Sequence, residues 1–234
     1  MHNKFVIIDF LSIEFSLDGI MRKSDEKGLE VSASELVEVA AVKVENGKIV
    51  KNFTTFIAPD WIDVDNICSH WEPDNFGITL DHLKGAPDAE SVIKQLISFA
   101  GDSIIIPSTV NSSFEWRKFK TRALACGYVF NNITIEMSNL ILAKQTIQLL
   151  SAHKNLDTLT ALGMANYLGN RKNTSEIMEE YGIDYPPYWD TDRMVVRDDC
   201  LSRAIASARL FIAIAGDEIV LLKEVEEGNS SCPF

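Results

Sequence analysis

Cysteine is scarce in this chain of 234 residues, and the four that occur, Cys68, Cys126, Cys200 and Cys232, lie far apart. None forms a Cys-x-x-Cys pair and no histidine stands at zinc-finger spacing, so neither a disulfide framework nor a structural zinc site is indicated. Free thiols in a reducing cytoplasm are the reading this usage supports. No apolar run approaches the roughly 18 residues of a membrane span. The opening MHNKFVIIDF is too short and too polar for a secretory signal. Internal repeats and low-complexity segments are absent too. Positive charge is in deficit: 22 Lys and Arg face 34 Asp and Glu, a net charge of −12. So acidic a chain repels phosphate backbones overall, which argues against a general nucleic-acid coat protein. A basic cluster nonetheless stands at Arg117, Lys118, Lys120 and Arg122.

What is present fits one α/β domain over 1–234, with a core at about 4–214. Residues 5–11, FVIIDFL, read as a strand buried on both faces and interrupted by a single acid, Asp9. A charge there is costly unless it is paired or used. Residues 12–34 read as a long loop. Two β-rich runs, 36–45 and 48–57, flank Asn46-Gly47, a strong hairpin signal because both turn residues tolerate positive φ. Helical spacing follows Pro87 over about 88–100, then SIIIP at 103–107 reads as a short buried strand. Further helices are predicted over 112–126 (Phe114, Phe119 and Leu124 inward), 136–149, 155–168 and near 174–181. A closing helix spans about 199–214, with Gly216 interrupting it before a second segment to about 226. Residues 170–197 read as an irregular connection or insertion, and 228–234 as a frayed tail. A strand, a hairpin, a helix, a strand and then helices imply a mixed sheet with helices on its faces.

This order and its local wording resemble the DEDD 3′–5′ exonuclease family, the DnaQ-like and RNase T-like group. The motifs are Asp9 in the opening strand, the hairpin ELVEVAAVKVENGKIVKNFTTFIAP, Gly77-Ile78-Thr79 with Gly85-Ala86-Pro87, Asn111 and Phe114 after the SIIIP strand, LDTLTALGMANYLG, and DDCLSRAIASARLF. The resemblance implies an RNase H-like mixed β-sheet flanked by α-helices. It also implies a site in which four carboxylates hold two Mg²⁺ or Mn²⁺ ions and a His or Tyr serves as base.

Set against that pattern, the chain keeps Asp9 as the first ligand. The second, two residues on, is Leu11, and Glu14 falls on the wrong face or beyond the strand. The third is Glu115, an acid on a longer arm. The fourth is Arg203, by register with Ala204 and Ala208, and the His position is Asp198. No histidine follows His153, and none of Tyr181, Tyr185 or Tyr188 stands at helical spacing from Arg203. Unit charges about 4 Å apart interact by roughly 4 kcal/mol at an effective dielectric near 20, so a guanidinium in place of a ligand turns attraction for a dication into repulsion. The expectation is a degenerate, inactive exonuclease-like domain with no cofactor, Arg203 pairing bidentately with Asp9 or Glu115. Such a domain binds a protein partner or single-stranded nucleic acid, with Asn111 and Arg117 as nucleic-acid contacts. The alternative is a working Mg²⁺- or Mn²⁺-dependent exonuclease using Asp9, Glu115 and Asp198 or Asp199. A homo-oligomer built for assembly is a third.

Each residue also has an ordinary structural reading. Asp9 fits a buried paired acid, Glu115 a first-turn helix residue, Arg203 a solvated helix face, and Asp198 and Asp199 caps of the last helix. The basic cluster fits a solvated face. Trp61 and Trp71 fit covers for the sheet edge, and His70 and His82 surface or loop positions.

Overall fold

The computed structural model describes residues 4–14, 34–59, 78, 80–108, 113–153, 155–169, 174–185 and 200–229. Its strands are β1 (Lys4–Glu14), β2 (Ser34–Glu45), β3 (Lys48–Phe56) and β4 (Ile104–Pro107). They form one mixed sheet in the order β3-β2-β1-β4, with β1 antiparallel to β2 and parallel to β4. The β2–β3 turn is Asn46-Gly47 with φ of 51° and 71°, the left-handed pair that a two-residue hairpin requires. Thr134 adds an isolated parallel bridge to Ile105 on the far side of β4.

Alternation along β1 sets two faces. Val6, Ile8 and Phe10 pack with Val92, Ile93 and Leu96 of α2 (Ala89–Ala100) and with Trp116 and Phe119 of α3 (Ser113–Ala125). Ile7 and Leu11 face the other way, toward Ala204, Ala208 and Phe211 of α7 (Cys200–Asn229), which lies across β1, β2 and β3. Burial of β1 on both sides is what makes its one acid informative. The remaining helices are α1 (Leu80–Lys84), α4 (Met137–Ala152), α5 (Thr158–Gly169) and α6 (Thr174–Glu180). Asp88 caps α2 by accepting from the Ser91 amide at 2.7 Å, and Asp157 accepts from the Thr160 amide at 3.0 Å at the start of α5.

Three expectations need correction. β1 does not stop at Leu11: a bulge between Leu11 and Ser12 lets the ladder continue to Glu14, opposite Ser34, so polar residues after 11 remain in strand. The short helix α1, for which the sequence carried no prediction, buries Leu83. On α3, Phe119 points inward, but Phe114 and Leu124 are 62% and 64% exposed. Steps of five residues turn a helix by about 140°, so these three cannot share a stripe; the inward set is Trp116, Phe119 and Ala123. Finally, α7 runs through Gly216 without a break, since one glycine costs a helix only about 1 kcal/mol.

Candidate functional site

The C-terminal half of β1 places Asp9 on the α7 side of the sheet. The pairing of Ile8 with Pro107 sets the next residue of each strand side by side, and the Ser108 amide donates to the Ile8 carbonyl at 2.8 Å. The Ser108 hydroxyl then donates to Oδ1 of Asp9 at 2.5 Å. From α7, Nε of Arg203 donates to Oδ2 of Asp9, also at 2.5 Å. The same guanidinium extends Nη2 to the Phe10 carbonyl and to Sγ of Cys200, each at 3.2 Å. The fork is thus split between a carboxylate and its neighbouring backbone, unlike the bidentate pair expected. Asp9 and Arg203 are each only 2% exposed. Two charges so deeply buried persist only when each compensates the other and the leftover donors are satisfied.

Leu11 lies on the same face at 2% exposure and belongs to the apolar cluster under α7. Directly opposite it on β2 stands Glu38, 3% exposed and therefore on that face too. Glu115 occupies the first turn of α3, half-buried, and its Oε2 has no hydrogen-bond partner among the described residues. The Arg203 bonds described above go to Asp9, Phe10 and Cys200, and Glu115 instead feels the charge of Lys118.

The basic cluster on α3 is not simply a solvated face. Arg117 is exposed. Lys120 holds its ammonium 5.5 Å from the Trp116 ring centroid. The Arg122 side chain is 15% exposed, with Nη1 3.7 Å from a carboxylate oxygen of Glu35, itself buried. Burial pulls the Lys118 ammonium below its usual pKa, against the opposing pull of Glu35. His82 is not a plain surface residue either: it is half-buried on α1 and stacks on Phe56 at 4.9 Å and 8°. Tyr181 and Tyr185 pack against the apolar cluster under α7, and burial raises the Tyr181 phenol. Asn111, Asp198, Asp199, Tyr188, Trp61, Trp71 and His70 lie outside the described residues.

Ser108, Cys200 and Glu38 are the site residues that sequence reasoning missed. Ser108 becomes visible once SIIIP is taken as the parallel neighbour of β1, because the residue after that strand then faces Asp9. Cys200 stands one helical turn before Arg203. Glu38 carries no local signal beyond being an acid in an apolar strand. Among the described residues, no three His, Cys, Asp or Glu side chains are grouped closely enough to hold a metal ion. No helix among them is long and apolar enough to cross a membrane.

No family model matches the chain. In sequence it is 29% identical over 152 residues to a DNA polymerase III PolC-type of Halalkalibacterium halodurans, covering 58% of this chain and 10% of that protein. It is 30% identical over 102 residues to the DNA polymerase III subunit epsilon of Aquifex aeolicus, covering 43% of this chain and 48% of that protein. It therefore spans about a tenth of the PolC-type relative and about half of the epsilon subunit. Among solved structures, the nuclease domain of 3′hExo, described as a DEDDh family member and bound to rAMP, superposes with a TM-score of 0.54. The identity is 14%, over 92% of this chain and 93% of that one. A full-length 3′-exonuclease gives 0.53 at 14% identity, over 93% and 83%. At such identities the structural likeness establishes a shared fold: a mixed sheet flanked by helices, RNase H-like.

Proposed function

We propose that this chain, a member of the DnaQ-like exonuclease family, has exchanged the family's metal site for a buried ion pair and works as a binding module instead of a nuclease. The observation that carries this reading is the occupation of both Asp9 oxygens, one by the Ser108 hydroxyl and the other by the Arg203 guanidinium. A hard dication needs several free oxygen ligands converging on it. Here Asp9 is already engaged, Glu115 is the one other acid at a family position, Leu11 brings only hydrocarbon, and Arg203 brings positive charge to Asp9 itself. These residues do not fit two divalent ions.

With phosphodiester hydrolysis lost, what remains at this position is a buried Ser108–Asp9–Arg203 network within the chain. A net charge of −12 favours a protein partner over nucleic acid. The basic residues of α3 support the same choice, since Lys118, Lys120 and Arg122 are half-buried and Arg117 alone of the four is exposed. Incubating the chain and its Asp9→Ala variant with end-labelled single-stranded DNA and RNA in Mn²⁺ tests the proposal. The expected outcome is no shortening with either. Trimming by the unaltered chain that disappears in Asp9→Ala defeats it. Fluorescence anisotropy with the same oligonucleotides in the absence of metal then separates a nucleic-acid-binding module from a protein-binding one.

A further inference from the structure

β3 ends the sheet, and among the described residues no strand pairs with its outer side. One step beyond the Glu38–Phe56 pair, the Ile57 amide donates to the Val37 carbonyl at 2.8 Å, which marks 37 and 57 as a pair that exchanges bonds across the β2–β3 ladder. Alternation then turns the amides and carbonyls of Thr55, Phe53 and Lys51 toward β2, opposite Val39, Ala41 and Lys43. Asn52 and Thr54 therefore turn theirs away from the sheet, and both residues are exposed. A bulge at Val50 closes this regular stretch, because Lys51 pairs with Lys43 while Ile49 pairs with Val44.

The strand carries Lys48 and Lys51 and no acid, in a chain whose net charge is −12. Both lysines stand on the α2 side of the sheet. Lys51 holds its ammonium 5.7 Å from the Phe99 ring centroid of α2, and Lys48 opposes Glu45, whose carboxylate also lies 3.9 Å from Lys43. Edge lysines guard a strand against pairing with its own kind, and the charge that repels one partner admits another. A second copy's β3 brings two more lysines and no acid, and like charges across strands destabilise pairing. A nucleic acid presents phosphates that only accept, and a helix has its backbone already bonded. An extended peptide alone matches outward N–H and C=O groups in alternation, and acids at every second position match the lysines.

We infer that the outer edge of β3 docks an extended acidic segment of a protein partner, which continues the sheet as a further strand. Its backbone bonds to Asn52 and Thr54, and its carboxylates meet Lys48 and Lys51 on the α2 side. The inference names the kind of partner taken by the binding module proposed above and rests on that reading. Their failures are distinguishable, since the edge is read by peptide binding and the Asp9 site by nuclease assay.

Fluorescence anisotropy of a labelled synthetic peptide of alternating Asp and Thr, titrated with the full chain, is the test. Saturable binding is expected, weakened at least about tenfold by Lys48→Glu combined with Lys51→Glu. Thr54→Pro removes an outward amide without taking a bond from β2, so it is expected to abolish binding while the circular dichroism spectrum stays unchanged. Hydrogen exchange gives a second readout: the Asn52 and Thr54 amides exchange rapidly in the free chain and become protected by the peptide. Absence of saturable binding, binding that leaves those amides unprotected, or equal binding of a peptide of alternating Lys and Thr overturns the inference. Protection already present without peptide, as a second copy on the edge would give, overturns it too, as does displacement of the peptide by an equal concentration of single-stranded DNA.

Discussion

Replacing Arg203 with methionine removes the cation and leaves Asp9 buried with only the Ser108 hydroxyl for compensation. Unit charges about 4 Å apart attract by roughly 4 kcal/mol at an effective dielectric near 20. Removing one member of a buried pair typically costs about 3–5 kcal/mol, because the survivor keeps its desolvation penalty. At roughly 2–4 °C per kcal/mol for a chain of this size, melting falls by about 6–20 °C. Asp9→Leu takes the carboxylate away from a guanidinium at 2% exposure and is expected to cost a similar amount. The double variant Asp9→Leu/Arg203→Met buries hydrocarbon in place of both charges. Its expected cost is only about 1–3 kcal/mol, chiefly for the Ser108 hydroxyl that loses its acceptor. A double-mutant cycle by urea denaturation therefore yields a coupling of about 3 kcal/mol or more. Single losses below about 1 kcal/mol, or losses that simply add, refute the reasoning.

Three further outcomes are expected. Ser108→Ala orphans Oδ1 of Asp9 and costs about 1–3 kcal/mol in denaturant titration, without changing the secondary structure read by circular dichroism. Restoring acids with Leu11→Glu and Arg203→Asp gives a variant that Mn²⁺ stabilises thermally, by about 2.7 kcal/mol at a hundredfold excess over the dissociation constant, whereas the unaltered chain shows no Mn²⁺-dependent shift. Asp88 and Asp157 are held below the usual carboxylate range, Asp88 chiefly by the Ser91 amide and Asp157 chiefly by the Thr160 hydroxyl. Their helix-capping contribution is fully present above the unfolded value of 3.8 and lost as pH falls through the lower folded values; acid melts of Asp88→Ala and Asp157→Ala should converge on the parent there.

The legible parts of the fold were those with a local cause. Asn46-Gly47 announced its hairpin because its backbone angles suit few other residue pairs, and Asp9 stood out because an acid in FVIIDFL has no cheap explanation. Ser108 and Glu38 were not legible, since each depends on which strand lies alongside β1, and the bulge at Leu11/Ser12 shifts the pairing with β2. Phe114 and Leu124 misled because their size argues for burial while their angular position on α3 forbids it. Arg203 illustrates both limits. Its contrast with the family pattern could be read from the resemblance, but the split of its fork between Asp9 and the Phe10 carbonyl depends on how α7 crosses the sheet.

Calorimetric titration of Mn²⁺ into the unaltered chain, with Asp9→Ala run alongside, bears most directly on whether the Asp9 site holds metal. The account predicts no saturable heat from either protein. Two bound ions per chain, lost on substitution of Asp9, contradict it.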